Sequence, residues 1–427
     1  MKINVVDDIC GSGKTTWAIQ MLNKSEDGEK FIYVTPFLSE IERVIEATNA
    51  KFLKPEAEQG KGSKLNHFKE LLKEGNSIVT THQLFKMLDE ESQDLIKSFG
   101  YTLIMDEVAN VLHQVKINPY DIQILLKSKA IEVEEDGTVV WIDEKYGDSY
   151  SEEKERFRDI KYLAQNENIF LFEDSAIFWT MDINSFVSFQ KVYVLTYLFD
   201  GQIQKYYYDL HNVEYEKFSV NKIGEQNYEL MPYNKFKEPR KEVYDKLNIY
   251  EDYRNGRVAS NLNSNFYDKD KNTVLSSNWF ENVATSKQKK QLSNNLRNYF
   301  DNQAKTENKE VLWTTKKKEA EILKNKKCTL NKKDDRSKDN FLSFNARATN
   351  SYAHCTSIAF VYNRFMNPKE KRFFKSKGIT VDEEVLAMSD LIQFIFRGCI
   401  RNGEPMNCYI PAKRMRDALK DWSEFKD

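Results

Sequence analysis

The run Cys10-Gly-Ser-Gly-Lys-Thr-Thr16 puts small residues, a cation and two hydroxyls into consecutive positions. Backbone N–H groups can wrap phosphate oxygens only where side chains are small or absent, and Gly11, Ser12 and Gly13 meet that need. Lys14 then offers a cation to the outer phosphates of a triphosphate such as ATP. Thr15 offers a hydroxyl to Mg²⁺, and Thr16 completes the set. The strict form G-x-x-x-x-G-K-T is not met, because Asp8 or Ile9, depending on how the loop is counted, stands where its first glycine belongs. The bland alternative is a Gly-Ser loop with an incidental lysine. The apolar stretch Ile3–Val6 before the loop and the amphipathic Trp17, Ile19 and Leu22 after it favour the phosphate loop.

A second acidic element suits the same ligand. The apolar run Thr102–Met105 leads into Asp106-Glu107. Asp106 would hold Mg²⁺ through water, and Glu107 would polarise an attacking water. An ordinary acidic pair at a strand end is the alternative. Far along the chain, Gln393, Arg397 and Arg401 recur four apart within an expected helix, Asp390–Arg401. That spacing sets them on one helix face. An arginine reaching the γ-phosphate from a second domain would make hydrolysis depend on domain closure. Surface pairing of the arginines is the alternative, but Phe394, Ile395 and Ile400 would bury other parts of that helix.

These groups need elements to hold them. Expected strands are Ile3–Val6, Phe31–Val34, Ser77–Thr80, Thr102–Met105, Ile169–Leu171 and Val192–Leu195. They are continuous and apolar, as strands buried on both faces are. Helical patterns such as Ser39–Ala47 and Lys64–Leu72 lie between them, which predicts an α/β domain on a parallel sheet. The stretch 131–160 holds eleven Asp and Glu against four Lys and Arg. Gly137 and Gly147 flank an expected hairpin around Val139-Val140-Trp141, and the stretch reads as a solvated surface insertion. Residues 203–275 are polar and weakly periodic, with a possible hairpin in Tyr206–Val220. From about 285 the pattern resumes: helix Gln288–Phe300, strands Val311–Thr314 and Ser357–Val361, the Asp390–Arg401 helix, and strand Asn407–Ile410. The window 281–340 holds sixteen Lys and Arg against nine Asp and Glu. It suits either phosphate contact or a solvated basic surface.

Bulk properties narrow the classes. A chain of 427 residues predicts two domains. With 40% apolar, 30% charged and 13% aromatic residues and a net charge of −2, no global field draws a polyanion, so nucleic-acid contact must be local. Five cysteines without C-x-x-C spacing suggest neither a disulfide framework nor a zinc site. No signal peptide and no membrane-length apolar run is read. The expectation is a cytoplasmic protein, here of a bacterial host cell, with reduced thiols and no membrane partner.

Further segments follow the same order as the motifs of one family. They are Tyr33-Val-Thr-Pro-Phe37, Ile78-Val-Thr-Thr-His-Gln-Leu84, Val194-Leu-Thr-Tyr197, Val311-Leu-Trp-Thr-Thr315, Asn345-Ala-Arg-Ala-Thr-Asn350 and Gln393–Arg401. Together with the phosphate loop they resemble a superfamily 2 helicase, of the DEAD-like kind found in bacteriophage genomes. The resemblance spans about residues 1–200 and 305–412. It implies an α/β fold of two RecA-like domains with parallel sheets, residues 1–202 and 285–427, around an irregular, partly strand-rich segment 203–284. It implies ATP and Mg²⁺ as cofactors, with Lys14, Asp106, Glu107, Gln393, Arg397 and Arg401 as catalytic residues. It leaves open which arginine is the finger, since the family's pair stands three apart.

The resemblance also implies a single strand of nucleic acid as partner, DNA in preference to RNA. Thr35, Pro36, Thr80, Thr81, His82, Thr314, Thr315, Arg347, Thr349 and Asn350 would touch it. Hydroxyl and amide groups at strand ends suit a sugar–phosphate backbone. Phe37 and Trp313 suit either base stacking or core packing. Thr196 would link hydrolysis to domain movement, although Tyr197 replaces the small residue expected after it. The implied function is an ATP-dependent helicase or translocase, in phage or mobile-element DNA replication, with replication proteins as possible partners and oligomeric state open. The rivals are a DNA-packaging motor and a nucleic-acid-binding scaffold with an inactive ATP site.

Overall fold

The computed structural model describes residues 2–49, 51–142, 156–165, 168–225, 227–254, 257–258, 261–263, 272–324, 340–344 and 351–426. Short runs of β-branched and aromatic residues, buried on both faces, form the centre of the first sheet. In chain order these strands are β1 (Ile3–Asp7), β2 (Phe31–Thr35), β3 (Phe52–Leu53), β4 (Ser77–Thr81) and β5 (Thr102–Asp106). An insertion follows with β6 (Leu112–Gln114), β7 (Ile131–Val133), β8 (Val139–Trp141), β9 (Ile169–Phe172) and β10 (Ala176–Thr180). The main sheet resumes with β11 (Lys191–Thr196), β12 (Tyr215–Lys222) and β13 (Tyr228–Pro232). Its order is β13-β12-β1-β11-β5-β2-β4-β3. All neighbours run parallel except the β12–β13 hairpin. β11 therefore separates β1 from β5, and the loops leaving these three strands sit side by side at the carboxyl edge, where open α/β sheets bind ligands.

The insertion departs from expectation. Ile169–Leu171 belongs not to the parallel sheet but to an antiparallel one of order β6-β10-β9. Its run is closed by Glu173 and Asp174 in left-handed backbone, at φ 49° and 47°. A turn that short joins only antiparallel strands. β7 and β8 do form the expected hairpin. Its acidic face is solvated, but alternation points Ile131, Val139 and Trp141 into the core beside Leu125 and Ile160. Gly147 lies outside the described residues.

Tyr206–Leu210, expected within a hairpin, is helical (Ile203–Leu210) and buries Tyr206, Tyr207 and Tyr208. The hairpin lies further on, as β12 and β13. The second sheet contains β14 (Leu247–Ile249), β15 (Val311–Thr314), β16 (Ser357–Phe360) and β17 (Met406–Tyr409), in the order β14-β17-β16-β15 and all parallel. Strands of 203–284 are thus shared between the two sheets. The core is shared too: Ile9, Tyr197 and Leu198 pack in one apolar cluster with Leu312, Phe360 and Ile392.

The helix expected at Asp390–Arg401 runs Glu383–Ile395, capped by Asp382 at its start. A turn and a 3₁₀ segment, Cys399–Asn402, follow. The turn requires glycine at 398, because a Cβ there would meet Met406 Sδ at 2.4 Å and the Cys355 carbonyl at 3.0 Å. The chain is held by a bond from Cys399 N to that carbonyl, 2.9 Å. In the basic window, Lys289 and Lys324 pair with Glu319 and Glu321 at 2.8 and 2.9 Å. Among the described residues, no helix is long and apolar enough to cross a membrane.

Candidate nucleotide site

The loop after β1 turns through Gly11 and Gly13, both left-handed at φ 85° and 100°. The helix Lys14–Asn23 begins at once. Gly13 is doubly required, since a Cβ would also drive into the Tyr228 ring at 2.4 Å. Asp8 needs no such freedom. Its carboxylate accepts hydrogen bonds from Ile9 N at 2.7 Å and from Val220 N at 2.8 Å, pinning the loop's entry to β12. This is a role that the usual glycine could not fill. Lys14 Nζ donates to the carbonyls of Asp8, 2.6 Å, and Ile9, 3.0 Å, so the cation lies within the loop it would share with phosphates.

Asp106 ends β5 and is 8% exposed. Burial, and next the charge of Glu107, push its carboxyl up to about 6. Tyr33 Oη donates to its Oδ2 at 3.3 Å. Glu107 takes left-handed backbone, φ 69°, and its N–H donates to the Leu195 carbonyl at 2.8 Å. Asp8 N–H donates to the Thr196 carbonyl at 3.2 Å. Through these two backbone carbonyls the end of β11 holds both the loop after β1 and the Asp106–Glu107 pair.

These groups meet across one cleft of about 270 Å³, lined by Gly11, Gly13, Lys14, Thr15, Thr16, Asp106 and Glu107 and, from the second sheet's side, by Arg397 and Arg401. Arg397 arrives on the turn after Ile395 and Arg401 on the 3₁₀ segment, not on a common helix face. Burial raises the Cys10 thiol pKa, and the charges of Lys14, Glu107, Arg397 and Arg401 all act on it. Gln393 is not brought to this cleft. It is 3% exposed within the helix, and its Nε2 donates to Ser389 Oγ at 3.3 Å.

Comparison with known proteins places the chain in a family. The YonV C-terminal Rossmann-like domain family matches residues 241–423, and the YonV middle domain family matches residues 112–179. The SPbeta prophage-derived uncharacterized protein YonV of Bacillus subtilis (strain 168) is 39% identical over 429 residues, covering 99% of both chains. The chain belongs to the YonV family. Among solved structures, XPD_APO matches at 12% identity and a TM-score of 0.50, over 98% of this chain and 95% of that one. XPD_Helicase matches at 11% identity and a TM-score of 0.49, with the same coverage. The likeness to the first concerns the fold, an α/β architecture with RecA-like parallel sheets. The YonV middle-domain match covers the insertion that carries β6–β10.

The residues expected to touch nucleic acid are scattered in their exposure. Thr35, Thr314 and Thr315 are fully buried in this structure, and Thr315 Oγ1 donates to the Val361 carbonyl at 2.9 Å. Trp313 is buried in the core. Thr80 and Thr81 line a groove with Lys54, Lys64, Glu42 and Glu56, and Thr81 also caps the short helix after β4. Pro36 is half-buried. His82 faces Asp106 instead, with Nε2 3.0 Å from its carbonyl oxygen. Arg347, Thr349 and Asn350 lie outside the described residues. The cleft also takes residues that sequence reasoning missed. Arg43 and Glu40, paired at 2.6 Å on the helix Leu38–Ala47, line it together with Phe396 and Asn402. Their signal was an i,i+3 charge pair, which reads as a solvated helix face until β2 is known to lie beside β5.

Proposed function

We propose that this chain hydrolyses ATP with Mg²⁺ and uses the cycle to move along a single strand of nucleic acid, DNA in preference to RNA, as a superfamily 2 helicase or translocase. The observation that carries the reading is the one cleft that gathers Lys14, Asp106 and Glu107 from the first sheet and Arg397 and Arg401 from beside the second. Four cations, with Arg43 included, face the carboxylates of Glu40, Asp106 and Glu107 there, which suits a triphosphate with its metal. Thr15 and Asp106 are hard oxygen donors, the kind Mg²⁺ takes alongside phosphate oxygens, and the metal would neutralise phosphate charge.

Lys14 would exchange its loop carbonyls for phosphate oxygens. Glu107, fixed by the Leu195 carbonyl, would orient the attacking water. Arg397 and Arg401 would stabilise charge on the transferring group. The end of β11 would pass a change in the cleft toward the second sheet. Separating DNA strands costs about 1.4 kcal/mol per base-pair step, so stepping needs hydrolysis coupled to movement. The prophage source named for the relative supports a role in phage or mobile-element DNA replication in a bacterial cytoplasm, beside replication proteins.

The test is the Mg²⁺-dependent ATPase rate of the purified chain alone and with single-stranded DNA, duplex DNA and RNA, beside Lys14→Ala. Turnover is expected to rise most with single-stranded DNA and to vanish in the folded variant. Undiminished turnover in Lys14→Ala overturns the site. Hydrolysis that no polymer stimulates overturns the motor.

A further inference from the structure

We propose that the nucleoside end of the triphosphate docks in a second cavity, formed between the β12–β13 hairpin and the residues that face it from the second sheet's side. The inference rests on the nucleotide reading above and adds where the base and ribose sit. The cavity holds about 400 Å³, within the range of small-ligand sites, roughly 300–1,000 Å³. It shares Cys10, Gly11 and Phe396 with the phosphate cleft, so one ligand can occupy both around the same loop.

Direction along the ligand follows from topology. Asp106, Glu107 and the arginines fix the γ end on the β11–β5 side of the loop. β12 flanks β1 on the opposite side, and the second cavity opens there. Its lining mixes apolar faces with the polar side chains of Asn221, Asn234, Lys237 and Glu238, as a flat ring with hydrogen-bonding edges and a ribose would need. Ile9, Met231, Val243 and Phe396 are apolar. Two of its hydroxyls, Ser12 Oγ and Ser219 Oγ, are buried and have no hydrogen-bond partner among the described residues. Buried hydroxyls normally have one, and ring nitrogens or ribose oxygens would supply it. Phe396 immediately precedes Arg397, so one turn forms a wall of the nucleoside cavity and carries an arginine to the phosphates. Filling the cavity would thereby help to set the arginine.

Two experiments on the full chain test this. Photolysis of bound 8-azidoadenosine triphosphate on the unaltered protein should label peptides within 215–243 or the peptide that holds Phe396, and labelling confined to segments that do not line the cavity overturns the proposal. Calorimetric titration of Mg·ATP and of Mg·tripolyphosphate then compares the unaltered chain with Met231→Trp, which fills the cavity from a partly exposed strand position. The unaltered chain should bind ATP at least about tenfold more tightly than tripolyphosphate, a difference that the variant loses. Its tripolyphosphate affinity should stay within about twofold, which also reports an intact loop. Unchanged ATP affinity in Met231→Trp, or unchanged ATP affinity with weakened single-stranded DNA binding, overturns the nucleoside assignment alone. An unaltered chain that binds neither ligand overturns the nucleotide reading, and this inference with it.

Discussion

Asp106 keeps its carboxyl where water is scarce and Glu107 is adjacent, and both effects favour the neutral form up to about pH 6. The consequence for stability has a definite sign. The folded-state value lies above the usual 3.8, so the group's stabilising contribution is complete below about pH 4 and is lost as pH rises through about 6. Asp106→Asn should therefore raise stability at pH 7.5 by on the order of 2 kcal/mol while abolishing hydrolysis. The gain should vanish near pH 4. Urea unfolding at both pH values checks this, and an equal gain at each contradicts it. The same balance means that a divalent cation at Asp106 must displace a proton in mildly acid solution. At this scale the sequence marked residue types, and the structure brings Lys14, Thr15, Asp106 and Glu107 to one cleft. The job of Asp8 was not legible, because its partner Val220 lies more than 200 residues away in sequence.

The elements that deliver the arginines are a turn and a 3₁₀ segment rather than the helix that periodicity suggested. Phe394, Ile395, Phe396 and Ile400 continue an apolar pattern past the point where the helix stops. What fixes the turn that follows is long-range: a Cβ at Gly398 would meet Met406 and the Cys355 carbonyl, and Cys399 N donates to that carbonyl. Gly398→Ala should push this turn out of place and lower stability by about 1–3 kcal/mol. ATP hydrolysis should fall more than nucleotide binding, because Lys14 and Thr15 are untouched. Measured rates and affinities that both match the unaltered chain would remove the turn from the account. The other misreadings share this character. Continuous apolar strands were found almost to the residue, since burial on both faces leaves a local signature. Whether Ile169–Leu171 joined a parallel or an antiparallel sheet depended on the turn at Glu173 and Asp174, and periodicity does not report that.

Across the whole molecule, the two sheets are fastened by a buried polar chain. Tyr197 Oη donates to Glu238 Oε2 at 2.6 Å and accepts from Trp422 Nε1 at 2.8 Å, while Arg240 Nε donates to the same carboxylate oxygen at 2.8 Å. Ser389 Oγ donates to the Tyr197 carbonyl at 3.1 Å. The tyrosine that stands where the resemblance expects a small residue is thus a tie between the end of β11 and the C-terminal helix. Tyr197→Phe leaves the buried Trp422 N–H without that acceptor and should lower stability by about 1–3 kcal/mol, read by urea unfolding. An unchanged midpoint would mean the tie contributes nothing.

The central claim is that one ATP site is built from both halves of the chain, and its most direct measurement uses the arginines. The steady-state rate of ATP hydrolysis with single-stranded DNA, together with ATP affinity, should be measured for Arg397→Ala and Arg401→Ala beside the unaltered protein. The account predicts that at least one variant loses more than about tenfold in rate while its ATP affinity changes much less, since the loop and acidic pair still hold the nucleotide. Rates at the unaltered level in both variants would contradict it.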